Sequence, residues 1–371
     1  KWKVRKTLAS TSSSADLTPP QTELNKGEDM EIPQPENTIA NLIDKHHEAQ
    51  ASLEMPRPHM GCSIVGHPCD RWLWLNFRFA VKPLFPGRVL RMFRRGRNEE
   101  ATIIDDLRAI GIKVRALEEQ MRVEFGSHLS GSIDAILDAG VPGAVKAKHI
   151  AEFKTHSSKS FADVQRQGVE KSKPEHYVQC QLYMAGTGIH RALYVAINKD
   201  DDSIYTERLV YDKIFANKYI DRGQRIALSD RMPPPISTDP SWYQCKWCPA
   251  YSMCHEAQHT KEVNCRTCAH STAKADSTWH CARHDADNIP LEWQVQGCES
   301  HVLHPDVVHW KRKDGPNEWT AIYVVDGKDV ANGHPDAHIY SSKELLANPA
   351  MCAAGDAEIE RLRGNGARVV A

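Results

Sequence analysis

At Gly111 the spacing of apolar residues changes, and that change restricts the fold more than any other feature of the chain. Before it, Ile39, Leu42 and Ile43 recur at helical intervals until Pro56 and Pro58, and further helices are expected from Cys69 to Phe79 and from Pro86 to Leu107. After it, Val123 and Phe125, then Ile133, Ala135 and Leu137, take alternate positions, and Gly140 to Gly143 with Pro142 supplies a hairpin turn. Ile150 to Phe153, Arg191 to Asn198 and Ile204 to Val210 read as further strands. Helices are expected from Phe161 to Val169, from Pro174 through Met184 and from Lys213 to Leu228. This order predicts an α/β (α+β) core, a mixed sheet flanked by helices.

With 371 residues the chain exceeds one small domain. Residues 1–37, rich in Ser, Thr, Pro, Gln and Glu, have too little apolar surface to offset ordering and are expected to be disordered. Lys1 to Ser14 are basic and Ser-rich but lack a hydrophobic core segment, which leaves only a weak transit-peptide reading. The folded core is expected over 38–258. A Pro- and Cys-rich change in composition after Arg231, then short strand-like runs such as Trp319 to Val325, mark 259–371 as an appended Cys-rich module able to serve a protein partner. No apolar run approaches the roughly 20 residues of a membrane helix. Eleven cysteines without a secretory signal point to reduced thiols and a cytoplasmic protein.

Lys and Arg total 47 against 48 Asp and Glu, so any polyanion must be met by a local basic patch. Phe77 to Asn98 carries seven Lys or Arg and no acid, and Arg88, Arg91 and Arg95 share one helical face suited to phosphates. Taken alone, such a stripe reads more simply as a solvated helix face.

Chemistry concentrates elsewhere. Gly131-Ser132-Ile133-Asp134 lies on one expected strand and Glu152-Phe153-Lys154 on the next. Alternation puts Glu152 and Lys154 on one face and Phe153 on the other, and hairpin pairing can bring Asp134 alongside. Two carboxylates beside an ammonium suit a hard divalent cation, Mg2+ or Mn2+, and a water nucleophile. Asp326-Gly327-Lys328 has the same triplet but sits in a turn with no acid on a preceding strand. Gln179 and Tyr183, four apart on a helix, can reach back over the site. Glu100, on the buried edge of its helix, can reach the metal, and Glu99 is the more solvent-facing choice.

Gly-x-x-Asp, Glu-x-Lys and Gln-x-x-x-Tyr in this order resemble the RecB-type branch of the PD-(D/E)XK nucleases, including CRISPR-associated and AddB-like members with an iron-sulfur cluster. The resemblance runs from about Pro58 to His255. It implies a restriction-endonuclease-like fold and a metal-dependent phosphodiesterase, often an exonuclease. Asp134 and Glu152 would be metal ligands, Lys154 would sit at the attacking water, and Gln179 and Tyr183 would support substrate. Arg97 stands where many RecB-like sequences have histidine, a departure that leaves the upstream metal contact of Glu100 open.

Cys245, Cys248 and Cys254 form a Cys-x2-Cys-x5-Cys run that is one thiolate short of a closed site. Spacing alone fits either tetrathiolate zinc or an iron-sulfur cluster. The resemblance implies Cys69, in its Cys-x-Arg-x-x-Trp setting, as the fourth ligand and 4Fe-4S as the cofactor; Cys62 is the alternate. Cys265, Cys268, Cys281 and Cys298 make a second set, with His270, His280 and His284 as possible substitutes, read as structural Zn2+ or as free thiols in a packed module. Cys180 and Cys352 stand alone. The reading is a DNA nuclease of the exonuclease kind, working in repair, recombination or phage DNA processing. The alternative is a non-catalytic nucleic-acid-binding or scaffold protein that keeps the fold and its metal sites as structure.

Overall fold

The computed structural model describes residues 38–115, 121–367 and 369. The disorder expected for 1–37 and the transit-peptide reading lie outside them. The chain divides into two units between Leu42 and Ile43. In chain order the elements are α1 (Ile39–Leu53), β1 (Met60–Gly61), α2 (Asp70–Phe77), α3 (Gly87–Ala109), β2 (Lys113–Arg115), β3 (Met121–Glu124) and β4 (Leu129–Ile133). There follow β5 (Ala135–Ala139), β6 (His149–His156), α4 (Ser158–Ser172), α5 (Pro174–Thr187), β7 (Arg191–Asn198), β8 (Ile204–Val210) and α6 (Lys213–Ala227).

The mixed sheet expected from the sequence is present as β2-β5-β6-β7-β8. Only β6 and β7 run parallel, Ile150 opposite Ala192 through His156 opposite Asn198, and the α4–α5 connection makes the crossover that a parallel pair requires. The other three pairings are antiparallel. One face buries Phe153, Leu193 and Val195 against Ile103 and Leu107 of α3. Ile150 and Tyr194 belong to a separate core shared with α5.

The alternating run from Gly131 to Leu137 is a single strand in pattern and two strands in space. β4 pairs with β1 and β3 in its own three-stranded sheet, β5 joins the principal sheet, and Asp134 is the one residue between them. Alternation continues through the bend, so a period-two pattern cannot reveal that the chain changes sheets there.

Local chemistry fixes the helices. Pro174 opens α5 and Gly188, in the left-handed region at φ 69°, closes it. The Cys69 sulfur accepts the Trp72 N–H at the start of α2. Glu48 of α1 accepts the Gly87 N–H at 2.7 Å, so an acid from α1 caps the start of α3. A Cβ on Gly87 would lie 2.4 Å from Asp44 Cα, which is why the two helices meet at a glycine.

Beyond α6 lie α7 (Tyr251–His255), β9 (Ser271–Ala273), β10 (Trp279–Cys281), α8 (Leu291–Gln296), β11 (Lys311–Lys313), β12 (Ala321–Val325) and β13 (Lys328–Asn332). β14 (Ile339–Tyr340) completes a four-stranded sheet β11-β12-β13-β14, and α9 (Ser342–Ala347), α10 (Pro349–Ala354) and α11 (Ala357–Gly364) follow, with α10 packed on β12 and β13. Asp326 and Gly327, both at positive φ, form the two-residue hairpin loop between β12 and β13, so this Asp-Gly-Lys is a turn. The apolar core runs without a break from Leu73, Trp74 and Phe77 to Trp279, Val302 and Tyr323. Among the described residues no helix is long and apolar enough to cross a membrane.

Candidate active site

Glu152, Lys154 and His156 occupy alternate positions of β6, and the pairing of Ala135 with Ala151 brings the neighbouring Asp134 beside Glu152. Asp134 Oδ2 accepts the Phe153 N–H at 3.0 Å, which fixes this carboxylate at the bend between β4 and β5. Lys154 Nζ donates to Glu152 Oε1. Glu152 is wholly buried, and its Oε2 has no hydrogen-bond partner among the described residues. Such an orphaned buried oxygen costs on the order of 1–3 kcal/mol and marks a place where a further partner fits.

The charges here are out of balance. Burial lifts the Glu152 carboxyl to about 8, with the nearby Asp134 and Glu100 adding to the effect. Burial and Asp134 lift Glu100 to about 7, so the α3 glutamate belongs to the same electrostatic cluster. Asp134 is raised by burial against the opposing pull of Lys154 and the Phe153 N–H. Burial alone would lower Lys154, but Glu152 and Asp134 override it and hold the ammonium above its ordinary range. Three acids around one ammonium form a donor set short of positive charge, which is the chemistry a divalent cation satisfies. Among the described residues, however, no three His, Cys, Asp or Glu side chains already surround a point where an ion would sit.

Helix α5 covers this face. Gln179 Nε2 donates to Tyr183 Oη at 3.0 Å, leaving the Gln179 carbonyl and the Tyr183 proton for a ligand. Gly131 permits the approach: a Cβ there would lie 2.7 Å from Tyr183 Cε1 and 2.8 Å from Cys62 Cβ. Between these elements opens a cavity of about 230 Å3, lined by Arg57, His59, Ser63, Ser132, Asp134, Gln179 and Tyr183. Arg57 Nη1 donates to Ser63 Oγ at 3.2 Å, and Arg122 holds His59 Nδ1 at 3.0 Å. Sequence reasoning missed Arg57, His59, Ser63 and Ser132, single polar residues with no periodicity to signal them. A larger cavity, about 640 Å3, lies among Cys298, His301, Lys343 and Arg363, where Arg363 is already committed to Glu344 at 2.7 Å.

His156 faces inward. Its Nε2 and the Nδ1 of His176 each lie 2.8 Å from Tyr194 Oη, with the imidazoles 5.7 Å apart and nearly parallel. A phenol carries one proton, so it accepts from one ring and donates to the other. Burial with the Lys173 and Lys154 charges pushes His156 down to about 4, and burial with Lys154 pushes His176 to about 3, so both rings are neutral at pH 7.

The arginines of α3 have partners. Arg91 pairs with Asp44 at 3.0 Å, Arg95 donates to the Lys199 carbonyl at 2.8 Å, and the exposed Arg88 reaches the Met92 sulfur, at 3.7 Å.

Both cysteine sets are gathered. Cys69, Cys245, Cys248 and Cys254 line one small cavity with Trp72, Pro235, Ile236 and Tyr251. Burial, reinforced by the neighbouring thiols, raises Cys248 to about 11 and also raises Cys245. The space between them, about 20 Å3, suits one water-sized particle. Among the described residues, neither this set nor the second already places three such side chains around a point where an ion would sit. Cys62 is not among them; it packs against Gly131 in the carboxylate cavity. In the second set, burial followed by Cys268, Cys298 and Cys281 raises Cys265 to about 12. His284 Nε2 lies 3.7 Å from Cys298 Sγ, whereas His280 faces Asp287 at 2.9 Å and His270 packs on Trp319.

No family model and no curated protein matches the chain. Among solved structures, SSO0001 is similar at a TM-score of 0.38 and 14% identity, over 59% of this chain and 96% of that one. An alkaline exonuclease (LHK-Exo) from Laribacter hongkongensis is similar at 0.34 and 16%, over 49% and 90%. A phage-related exonuclease from Haemophilus somnus is similar at 0.28 and 19%, over 36% and 68%.

Proposed function

We propose that this chain is a divalent-metal-dependent DNA nuclease of the PD-(D/E)XK kind, an exonuclease hydrolysing phosphodiester bonds. The observation that carries the reading is the joining of Asp134, at the bend between the two sheets, to Glu152 and Lys154 on one face of β6, with an orphaned carboxylate oxygen, beside a cavity walled by Arg57 and the Gln179–Tyr183 pair. Asp134 and Glu152 would hold Mg2+ or Mn2+, with Glu100 as a third acid. When bound, the ion supplies Lewis acidity at a phosphate oxygen and makes water a stronger nucleophile. Lys154 orients that water and offsets negative charge growing on the phosphate. Arg57 and Ser63 donate to a phosphate oxygen, and Gln179 and Tyr183 hold the strand at Asp134. Exposed Arg88, with Arg91 and Arg95 beyond their present partners, adds salt-sensitive backbone attraction.

The test is digestion of end-labelled linear and circular single strands, and of duplex, with Mg2+ or Mn2+. Release of nucleotides from linear DNA with the circle left intact is the expected result. DNA that binds but is never cut would replace the nuclease by the scaffold reading. The cysteine sets support two structural metal sites: 4Fe-4S at Cys69, Cys245, Cys248 and Cys254, and Zn2+ at Cys265, Cys268, Cys281 and Cys298. Anaerobically purified protein should therefore hold about four iron and one zinc per chain. Two zinc and no iron would assign the first set to zinc.

A further inference from the structure

Arg266 lies between Cys265 and Cys268 and is 1% exposed. A buried arginine is normally met by a carboxylate, yet among the described residues none forms an ion pair with this one. Its partners are two backbone carbonyls, one side-chain amide and aromatic rings. Nη1 donates to the Phe77 carbonyl, Nη2 to the Pro58 carbonyl and Nε to Gln294 Oε1, each at 2.8 Å. The guanidinium carbon lies 4.0 Å from the ring centre of Phe79, 4.8 Å from Trp279 and 4.9 Å from Phe77. A guanidinium suits this position because its planar fork serves two carbonyls while its faces stack on aromatics.

The destination of Nη2 gives the arrangement its consequence. Pro58 stands between Arg57 and His59, and both line the cavity beside Asp134. Pro56 and Pro58 have no N–H to give, so this segment has little means of fixing itself by backbone pairing. Its next anchor is the Met60 N–H, held by the His128 carbonyl at 2.8 Å. That anchor is gripped by the same 259–371 segment: the β9–β10 loop accepts the Ser127 N–H at the Ala275 carbonyl, 2.9 Å, and the His128 N–H at Ser277 Oγ, 2.8 Å. Ser127 and His128 are successive non-glycine residues at φ 45° and 65°, a conformation that persists only where its surroundings impose it.

We propose that Arg266 is a positioning residue for the DNA-binding wall of the site, acting through the Pro58 carbonyl on Arg57 and His59. The cysteine-flanked turn serves substrate binding by presenting this guanidinium. The inference rests on the nuclease reading above and deepens it, by giving the 259–371 segment a part in substrate binding.

The experiment compares Arg266→Lys, Arg57→Gln, the double variant and Ser277→Ala in steady-state digestion of single-stranded DNA with Mn2+. Lysine keeps the charge but loses the fork. Arg266→Lys should raise KM about tenfold with kcat within about twofold, the pattern of lost substrate binding. The double variant should be no worse than Arg57→Gln alone, because both changes act through one wall. The exposed Ser277→Ala, which removes one grip on His128, should raise KM by about two- to tenfold; it decides the matter if Arg266→Lys fails to fold. A folded Arg266→Lys with unchanged KM, a loss confined to kcat, or additivity with Arg57→Gln would overturn the proposal, as would an unchanged KM for Ser277→Ala. Absence of cleavage by the wild-type protein would instead remove the nuclease reading, and this inference with it.

Discussion

Asp134→Asn should lower kcat/KM on DNA by on the order of 10³-fold while raising the melting temperature of the metal-free protein. Asparagine keeps the shape of the side chain, and its carbonyl can accept the Phe153 N–H that Asp134 Oδ2 now takes at 3.0 Å. The bend between the two sheets is therefore retained. What goes is a negative charge that burial opposes and that adds to the raised titration of Glu152. The sign follows from linkage. An acid with a raised folded-state pKa costs stability wherever the unfolded chain would ionise it, so a neutral isostere gains at pH 7 and loses that gain as pH falls below the unfolded value of about 4. Lys154→Ala is a poorer probe, because it strands the wholly buried Glu152 without its ammonium and mixes chemistry with folding. Single-turnover digestion and thermal melts at pH 7 measure both arms. Retained cleavage would remove Asp134 from the mechanism. Lower stability together with lost cleavage would make the carboxylate a structural group.

The parts of this site that the sequence reveals are those that repeat. Period-two spacing shows that Glu152 and Lys154 share a face, and four-residue spacing joins Gln179 to Tyr183, since both depend only on local geometry. What it hides depends on partners far away in the chain. The arginine stripe of α3 looks free until Asp44 and the Lys199 carbonyl are placed beside it. His156 looks solitary until parallel pairing and the crossover bring Tyr194 and His176 to it. Arg266, by residue type alone, reads as a surface charge. The glycine of Gly-x-x-Asp is visible as a motif, but its reason, the pressure of the Tyr183 ring, requires the fold.

Acid should unfold this protein between pH 6.5 and 4, and histidines rather than carboxylates should set the slope. Burial, with Arg266 the next cause, holds His128 at about 4; burial, with Arg122 and Arg57, does the same for His59. His156 stands at about 4 and His176 at about 3, while burial lowers His301 to about 3 and, with Arg78, His304 to about 4. Each is a base whose folded-state pKa is depressed. The unfolded chain binds protons below pH 6.5 that the folded chain refuses until it reaches about 4 or 3. Stability from this source is complete above pH 6.5 and falls with pH, by about 1.4 kcal/mol per pH unit for each histidine fully in the window. Two or three of them acting together can exhaust the roughly 5–15 kcal/mol that holds a domain folded. Glu152 and Glu100 work in the opposite direction. Their raised values, about 8 and about 7, favour the metal-free fold progressively as pH drops from there to the unfolded value of about 4, which offsets two of the six histidines in the acid window. The metal-free protein should therefore be most stable near pH 6–7, less stable at pH 8.5 and unfolded before pH 4. Urea midpoints across this range measure the curve. His301 bridges Thr267 and Ser342 through its two nitrogens, and His301→Gln can keep hydrogen bonds to both while removing the titration, so it should flatten the acid limb. A midpoint constant from pH 7 to 5, or an acid limb equally steep in that variant, would show that these imidazoles do not govern acid stability.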